Sequence, residues 1–132
     1  MATAVIVIVD PVKLEFTYAA AGHPPPLLAT PRGTEMLAQG TIPLGFGKGM
    51  AIAPKPLHLS PNALLVLYTD GLIEFDRDLV SGEAALRAAV AAEYAGRFGK
   101  PAQGILDRVI AGRPTRDDIA ILTLAVKSDM TR

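Results

Sequence analysis

The sequence predicts an α+β fold built mostly from antiparallel strands. Short apolar or alternating segments dominate the chain as far as residue 68, two helical patterns follow between residues 81 and 111, and an apolar segment at 119–126 closes the pattern. Strands that come first and helices that come later are typical of an α+β arrangement, whereas a parallel α/β sheet would alternate the two.

The first two strands are predicted from different patterns. Residues 4–9 are an uninterrupted and mostly β-branched apolar run, which indicates a central strand that is buried on both faces. Residues 13–18 alternate polar and apolar side chains, so Leu14, Phe16 and Tyr18 are expected on one face. An Asp-Pro turn separates the two segments and favours a hairpin.

Later strands are shorter and are bounded by turn residues. Prolines at positions 54 and 56 confine the segment 50–59 to the edge of a sheet, because proline lacks the N–H that a central strand must donate. Other strands are expected at residues 27–29, 35–37, 63–68 and 119–126.

Two helices are predicted in the second half of the chain. Ser81 is a suitable N-cap for a helix that runs to about Phe98. A second helix is expected to begin at Pro101 and to end at Gly112. The apolar stripe of the first helix consists of Leu86, Val90 and Tyr94.

Packing considerations predict that these elements need further cover. Residues 4–9, 63–68 and 119–125 are apolar on both strand faces, so each requires cover on both sides. Two amphipathic helices, at 82–98 and 101–111, shield only one face of a sheet. We therefore expect the chain to form a homo-oligomer that pairs sheet on sheet, or to depend on a segment outside this sequence.

Composition excludes several classes of function. The chain has 13 basic and 13 acidic residues, so it lacks the basic face that a nucleic acid or an anionic membrane would need. The absence of cysteine excludes disulfides, zinc-thiolate sites and cysteine catalysis. No apolar run reaches the roughly 18 residues of a membrane span, and the apolar start lacks the basic residues of a signal peptide. A cytoplasmic location is expected.

Carboxylates follow one buried strand and precede another. Asp70 comes directly after the strand at 63–68, and Glu74 lies one turn further on the same side if the chain turns helical there. Asp117 and Asp118 stand just before the last strand. If the two strands are neighbours, the carboxylates converge on an oxygen site of the kind that Mg²⁺ or Mn²⁺ prefers. Two such ions about 3.5–4 Å apart activate a water for displacement at phosphorus.

A purely structural interpretation of the same residues is also open. Asp70-Gly71 is typical of a turn, and Asp117-Asp118 of the polar start of a strand. His23 is expected to be a loop residue, because it lies between glycine and proline. The segment 45–49 lacks the Gly-Lys-Ser/Thr ending of a phosphate loop, and no serine lies in a nucleophile elbow.

Four segments in a fixed order resemble a known family. They are Thr17-Tyr18-Ala19-Ala20-Ala21-Gly22-His23-Pro24-Pro25, Ile42-Pro43-Leu44-Gly45, Leu67-Tyr68-Thr69-Asp70-Gly71-Leu72-Ile73-Glu74 and Asp117-Asp118-Ile119-Ala120-Ile121-Leu122. Their order and spacing resemble the second half of the sporulation stage II protein E type phosphatases, which are bacterial members of the metal-dependent protein phosphatase 2C-like (PPM) superfamily. The resemblance covers residues 3–126, so residues 1–127 are assigned to one domain and residues 128–132 to a polar tail.

The resemblance implies an α/β/β/α sandwich, in which two antiparallel sheets lie between helices and two Mn²⁺ or Mg²⁺ ions bind at one end. By position, Asp70 and Asp117 correspond to metal ligands, and so to the residues that act in catalysis through the bound metal. Gly71, Glu74 and Asp118 correspond to positions that support those ligands. The implied reaction removes phosphate from phosphoserine or phosphothreonine of a regulatory protein, such as an anti-sigma-factor antagonist.

One motif of the family is absent from this sequence. Family members carry, in their first half, a Gly-Asp-x-x-Gly-His-Gly motif whose aspartate bridges both metals. Without it, the chain is expected to bind metal weakly and to be inactive alone, which leaves two main hypotheses: part of a phosphatase, or a non-catalytic binding and self-association module. A generic acidic hydrolase or kinase is a more distant third. An in-frame Gly-Asp-x-x-Gly motif encoded upstream of Met1 would favour the first hypothesis.

Overall fold

The computed structural model describes residues 2–38, 44–45, 56–74, 78–96, 99–115 and 117–127. Within these ranges, seven strands and two α-helices follow one another, and one turn of 3-10 helix, Asp70–Leu72, joins the sixth strand to the first helix. The strands are β1 (Ala4–Asp10), β2 (Glu15–Ala21), β3 (Leu27–Thr30), β4 (Gly33–Met36), β5 (Leu57–His58), β6 (Leu64–Tyr68) and β7 (Ile121–Ala125). The helices are α1 (Leu79–Ala95) and α2 (Pro101–Ile110).

The strands form two sheets in which all paired neighbours are antiparallel. The first sheet has the order β1-β2-β5, and the second has the order β4-β3-β6-β7. The predicted hairpin is β1 with β2, paired from Ala4↔Ala21 to Asp10↔Glu15. The segment before residue 60 supplies the edge strand β5, as its prolines predict, although residues 51–55 lie outside the described ranges. The prediction of a mostly antiparallel α+β fold is confirmed.

Strand β1 is not the central strand that its apolar run predicts. It lies at the edge of the first sheet and pairs only with β2 within the described residues. Ile6 and Ile8 are 62% and 67% exposed, whereas Val7 and Val9 pack toward the second sheet. A β-branched run predicts a strand correctly, but it does not say whether both faces are covered, so the alternate residues here face solvent.

Two apolar cores hold the layers together. One lies between the two sheets, and the other lies between the second sheet and the helices, so the central strands β3 and β6 of the second sheet are covered on both faces. The core between the sheets contains Phe16, Leu28, Leu37, Leu59, Ala63 and Leu65. The core under the helices contains Leu27, Leu64, Val66, Tyr68, Leu86, Val90, Ile105 and Val109, among others.

Helix α1 begins three residues earlier than the sequence predicts for it. Asp78, not Ser81, is the N-cap: its Oδ1 accepts hydrogen bonds from the N–H groups of Val80 (3.1 Å) and Ser81 (3.4 Å). The Ser81 hydroxyl donates to Asp78 Oδ2 at 2.7 Å. An aspartate caps better here because its two oxygens satisfy three donors at the helix start.

The charge of Asp78 makes the stability of α1 depend on pH. The Ser81 hydroxyl, followed by the backbone N–H groups of Ser81 and Val80, holds the pKa of this fully exposed carboxyl below its ordinary value. A carboxyl with a lowered pKa stabilises the fold above its unfolded pKa, and this contribution is lost as the pH falls through the folded pKa.

We expect Asp78→Ala to lower the melting temperature at neutral pH and to lose this effect in strong acid. Asp78→Asn is the matched control, because it keeps a cap acceptor but no charge, and it should change the melting temperature less. Thermal unfolding followed by circular dichroism across the acid range measures both variants. An alanine effect that is equally large at neutral and acid pH would show that the carboxylate charge has no role.

Helix α2 follows the prediction at its start and ends slightly early. Pro101 occupies its first turn, and the helix stops at Ile110 because Ala111 adopts a left-handed conformation (φ 50°). The two helices are joined by an ion pair in which Arg108 Nε donates to Glu93 Oε2 at 2.7 Å.

Candidate functional site

The candidate site lies where β6 ends and β7 begins. The two strands pair from Leu64↔Ala125 to Tyr68↔Ile121, so the carboxyl end of β6 lies beside the amino end of β7. Beyond the ladder, the Thr69 N–H donates to the Ala120 carbonyl (3.1 Å), and the Ala120 N–H donates to Thr69 Oγ1 (2.9 Å). The backbone segments that carry Asp70 and Asp117 are therefore held side by side, as expected for neighbouring strands.

Gly71 allows this close approach. The residue is buried, and a Cβ added to it would collide with the carbonyl oxygen of Asp118 and would lie 3.1 Å from the carbonyl oxygen of Asp117. Both obstacles are backbone atoms, so no side-chain rotation could relieve the collision. The structure thus brings Asp70, Gly71, Asp117 and Asp118 together through their main chains.

The chain turns helical directly after β6. The N–H groups of Ile73 and Glu74 both donate to the Asp70 carbonyl at 3.0 Å, and Leu72 and Ile73 enter the core under the helices. Glu74 is exposed one turn after Asp70, as the helical alternative predicts. The buried side chains of Leu72 and Ile73 hold this turn against the core, and this fixes the backbone of Asp70.

Asp117 and Asp118 lie on the rim of an open groove. Both are exposed, and the Asp118 N–H donates to Asp117 Oδ1 at 2.8 Å. The groove has a volume of about 550 Å³, and its apolar floor lies between α2 and the start of β7. Its lining includes Leu106, Asp107, Ile110, Asp117, Asp118 and Ile119.

The donor set fits part of a hard-cation site. Asp117 and Asp118 line the groove, and Asp70 lies on the adjoining backbone segment. Carboxylates are the kind of oxygen ligand that Mn²⁺ and Mg²⁺ take. In the ranges that the structure describes, no group of three or more histidine, cysteine, aspartate or glutamate side chains gathers to hold a metal. Asp70 and Asp117 therefore fit one side of a metal site, and further ligands are needed to complete it.

Tyr68 lies beneath the site in a protonated state. Burial raises the pKa of its phenol well above the ordinary value, and the nearby carboxylates of Glu83 and Asp70 raise it further. Its hydroxyl is buried and has no hydrogen-bond partner among the described residues. Because the phenol stays neutral at physiological pH, it cannot serve as a base.

His23 reaches the same end of the molecule, although the sequence places it in a loop. Its Nε2 lies 2.9 Å from the Tyr68 carbonyl oxygen, and its Nδ1 lies 3.5 Å from Thr3 Oγ1. The Gly-His-Pro context has no periodicity from which this contact could be predicted. One feature of the sequence does point to such a contact. The prolines at positions 24, 25 and 26 have no N–H groups, so they cannot donate backbone hydrogen bonds to a neighbouring strand.

A second surface feature is an apolar groove between the edges of the two sheets. It is open to solvent, and Leu122 and Leu124 of β7 are 65% and 37% exposed in it. β7 and β1 are the edge strands of their sheets, and both border this groove. We call this feature the edge groove; it is lined by Val7, Val9, Leu65, Leu67, Leu122, Thr123 and Leu124.

Comparisons with known proteins agree on one family. The family model described as Stage II sporulation protein E (SpoIIE) matches residues 1–127. The chain is 32% identical over 73 residues to the phosphoserine phosphatase RsbP of Bacillus subtilis (strain 168), a match that covers 54% of this chain and 18% of RsbP.

Solved structures give the same picture of the fold. The chain resembles the structure of the RsbU and RsbW domains of Rv1364c from Mycobacterium tuberculosis with a TM-score of 0.81 and 28% identity, over 96% of this chain and 37% of that one. It resembles the phosphatase domain of SpoIIE from Bacillus subtilis with a TM-score of 0.70 and 12% identity, over 98% of this chain and 60% of that one.

The chain spans less than two thirds of the length of each of these relatives. None of the helices in the described ranges is both long enough and apolar enough to cross a membrane. The family match over almost the whole sequence shows that the chain belongs to the SpoIIE family, and its two-sheet fold is like that of the SpoIIE phosphatase domain.

Proposed function

We propose that this chain forms one side of a metal-dependent protein serine/threonine phosphatase centre, in which Asp70 and Asp117 are metal ligands. The observation that carries the proposal is the main-chain contact that holds these two residues at the ends of neighbouring strands. When bound, Mn²⁺ or Mg²⁺ supplies an activated water and stabilises in-line displacement at phosphorus. Gly71 sets the spacing of the two segments, and Glu74 and Asp118 support the ligands.

The substrate class is a further part of the proposal, and the names of two relatives support it. RsbP is named a phosphoserine phosphatase, and one solved relative joins an RsbU domain to an RsbW domain. These names support a phosphoserine or phosphothreonine of a regulatory protein, such as an anti-sigma-factor antagonist, as the substrate. A cytoplasmic location belongs to the same proposal.

The isolated chain is expected to bind Mn²⁺ weakly and to release little or no phosphate from a phosphopeptide. Two carboxylates and water supply few ligands, and Mg²⁺ gives up its hydration shell reluctantly. Titration calorimetry should show binding weaker than micromolar that Asp70→Asn and Asp117→Asn abolish. Asp107→Asn is the matched control, because Asp107 lines the same groove from α2 and accepts a hydrogen bond from Gln103 at 2.8 Å.

Two results would contradict this assignment. Micromolar Mn²⁺ binding that Asp70→Asn leaves unchanged would place the metal elsewhere. Mn²⁺-dependent phosphate release by the purified chain, abolished by Asp117→Asn, would show that the 132 residues need no further ligands.

A second candidate function is a non-catalytic module that binds a partner or a second copy of itself. The edge groove favours it, because two sheet edges and exposed leucines lie together on one side of the molecule. In this proposal the chain either pairs sheet on sheet with another copy or depends on a further segment. The two functions are compatible if the same event that covers the groove also completes the metal site.

We expect sedimentation at micromolar concentration to show self-association that Leu122→Lys weakens. A lysine in the edge groove places a charge where apolar contact is expected, and lysine on edge strands opposes strand pairing. Val12→Lys is the control, because Val12 is 91% exposed and lies outside the groove. A compact wild-type monomer that binds no hydrophobic dye would show that the groove needs no cover.

A further inference from the structure

The last residue of β6 has no ordinary strand partner on the side of β3. Strand β3 pairs with β6 from Leu27↔Val66 to Ala29↔Leu64, so extending the register by two residues places Pro25 opposite Tyr68. Successive residues of a strand direct their polar groups to opposite sides. Because the Thr69 N–H is bonded to Ala120, just before β7, the Tyr68 carbonyl is directed to the other side, toward Pro25, which has no N–H to donate.

The imidazole of His23 supplies the missing donor. Its Nε2 lies 2.9 Å from the Tyr68 carbonyl oxygen, which can only accept, so Nε2 carries the proton. Nδ1 is then an acceptor in the neutral ring, and the Thr3 hydroxyl lies 3.5 Å from it. Gly22 makes this arrangement possible, because its φ of 61° turns the chain out of β2 just before His23.

Three residues at and just after the end of β6 are thus held by three different neighbours. The Tyr68 carbonyl is bonded to His23, Thr69 is bonded in both directions to Ala120, and Gly71 lies against the carbonyl of Asp118. Asp70 lies between the second and third of these contacts.

We propose that His23 is a positioning residue that holds the end of β6 and, through it, keeps Asp70 beside Asp117. This inference rests on the proposed function, because the position of Asp70 matters for metal binding only if Asp70 is a metal ligand. His23 is not assigned a contact with metal or with substrate; it acts through the Tyr68 carbonyl. The role requires a hydrogen-bond donor at the position of Nε2. Glutamine can supply such a donor and should preserve the role of His23, whereas leucine cannot.

The first test measures the strand end without metal. In the wild-type chain, the nitrogen chemical shifts of His23 should show a protonated Nε2. Loss of one hydrogen bond should raise amide hydrogen exchange at Thr69 and Ala120 by about tenfold in His23→Leu. His23→Gln should return both rates to near the wild-type values. An Nε2 without a proton, or equal exchange rates in all three proteins, would overturn the proposal.

The second test uses Mn²⁺ as the probe. Paramagnetic broadening of amide signals around Asp70 and Asp117 reports where the ion binds and how tightly. We expect His23→Leu to weaken the binding about tenfold, while His23→Gln and the control His58→Leu bind as the wild type does. His58 is the other histidine of the chain and lies exposed in β5.

The outcomes separate this inference from the function on which it rests. If Asp70→Asn leaves Mn²⁺ binding unchanged, the proposed metal site is wrong. If Asp70→Asn abolishes binding but His23→Leu binds as tightly as the wild type, the site stands and the role of His23 is wrong. If His23→Leu fails to fold, the tautomer and the glutamine variant still decide the question.

Discussion

Replacing Gly71 by alanine is expected to destabilise the chain by about 1–3 kcal/mol and to abolish Mn²⁺ binding. The new Cβ would collide with the carbonyl of Asp118, and a second carbonyl, that of Asp117, lies close by. The two backbone segments must therefore separate, which also separates the carboxylates of Asp70 and Asp117. Urea denaturation measures the stability, and titration with Mn²⁺ measures the binding.

Gly96→Ala is the matched control for this experiment. Gly96 follows α1 with φ −77°, and a Cβ there meets only ordinary contacts, the nearest at 3.5 Å. The substitution should be neutral, or should stabilise by up to about 1 kcal/mol because it restricts the unfolded chain. If Gly71→Ala binds Mn²⁺ like the wild type, the contact between the two segments does not set the geometry of a metal site.

Replacing Ile105 by alanine is expected to lower the free energy of unfolding by about 2–5 kcal/mol. Ile105 is fully buried between α2 and the second sheet, so its removal leaves a cavity in the core under the helices. Ile8→Ala removes the same atoms from a side chain that is 67% exposed, and its effect should stay within about 0.5 kcal/mol. Urea denaturation of both variants at the same low protein concentration makes the comparison.

The paired design also reports on association. If Ile8→Ala is as costly as Ile105→Ala, the outer face of β1 is covered in solution by another copy or another segment. The cost should then depend on protein concentration when the cover is a second copy, because dissociation follows mass action.

Much of the fold could be predicted because local patterns and tertiary environment agree. The alternation over residues 13–18 correctly places Phe16 and Tyr18 in the core between the sheets. The sequence made the strands now seen as β6 and β7 candidates for neighbours, and the structure pairs them from Leu64↔Ala125 to Tyr68↔Ile121. Their register could not be predicted, because strands that are apolar on both faces leave it weakly specified. The edge position of β1 could not be predicted, because an apolar run does not say which of its faces other elements cover; among the described residues, Ile6 and Ile8 remain exposed.

The features that sequence reasoning missed depend on contacts between distant residues. Nothing around Gly71 indicates that Asp118 will lie against it, and nothing around His23 indicates the Tyr68 carbonyl. Both contacts arise from the way in which separate strands are aligned. The N-cap of α1 was missed for a local reason: Asp78 and Ser81 are both good capping residues, and the sequence does not rank them.

The connection between β6 and β7 has a consequence for how the site forms during folding. Residues 69–120, which contain both helices, lie between the two paired strands. Closing such a long loop costs conformational entropy before the contacts between the strands can offset that cost. Contacts between residues so distant in sequence are slow to form. We therefore expect the helices to dock before Asp70 meets Asp117, so that partly folded chains lack the paired carboxylates. Protection of the Thr69 and Ala120 amides should accordingly appear late in refolding, after α1 and α2 are protected.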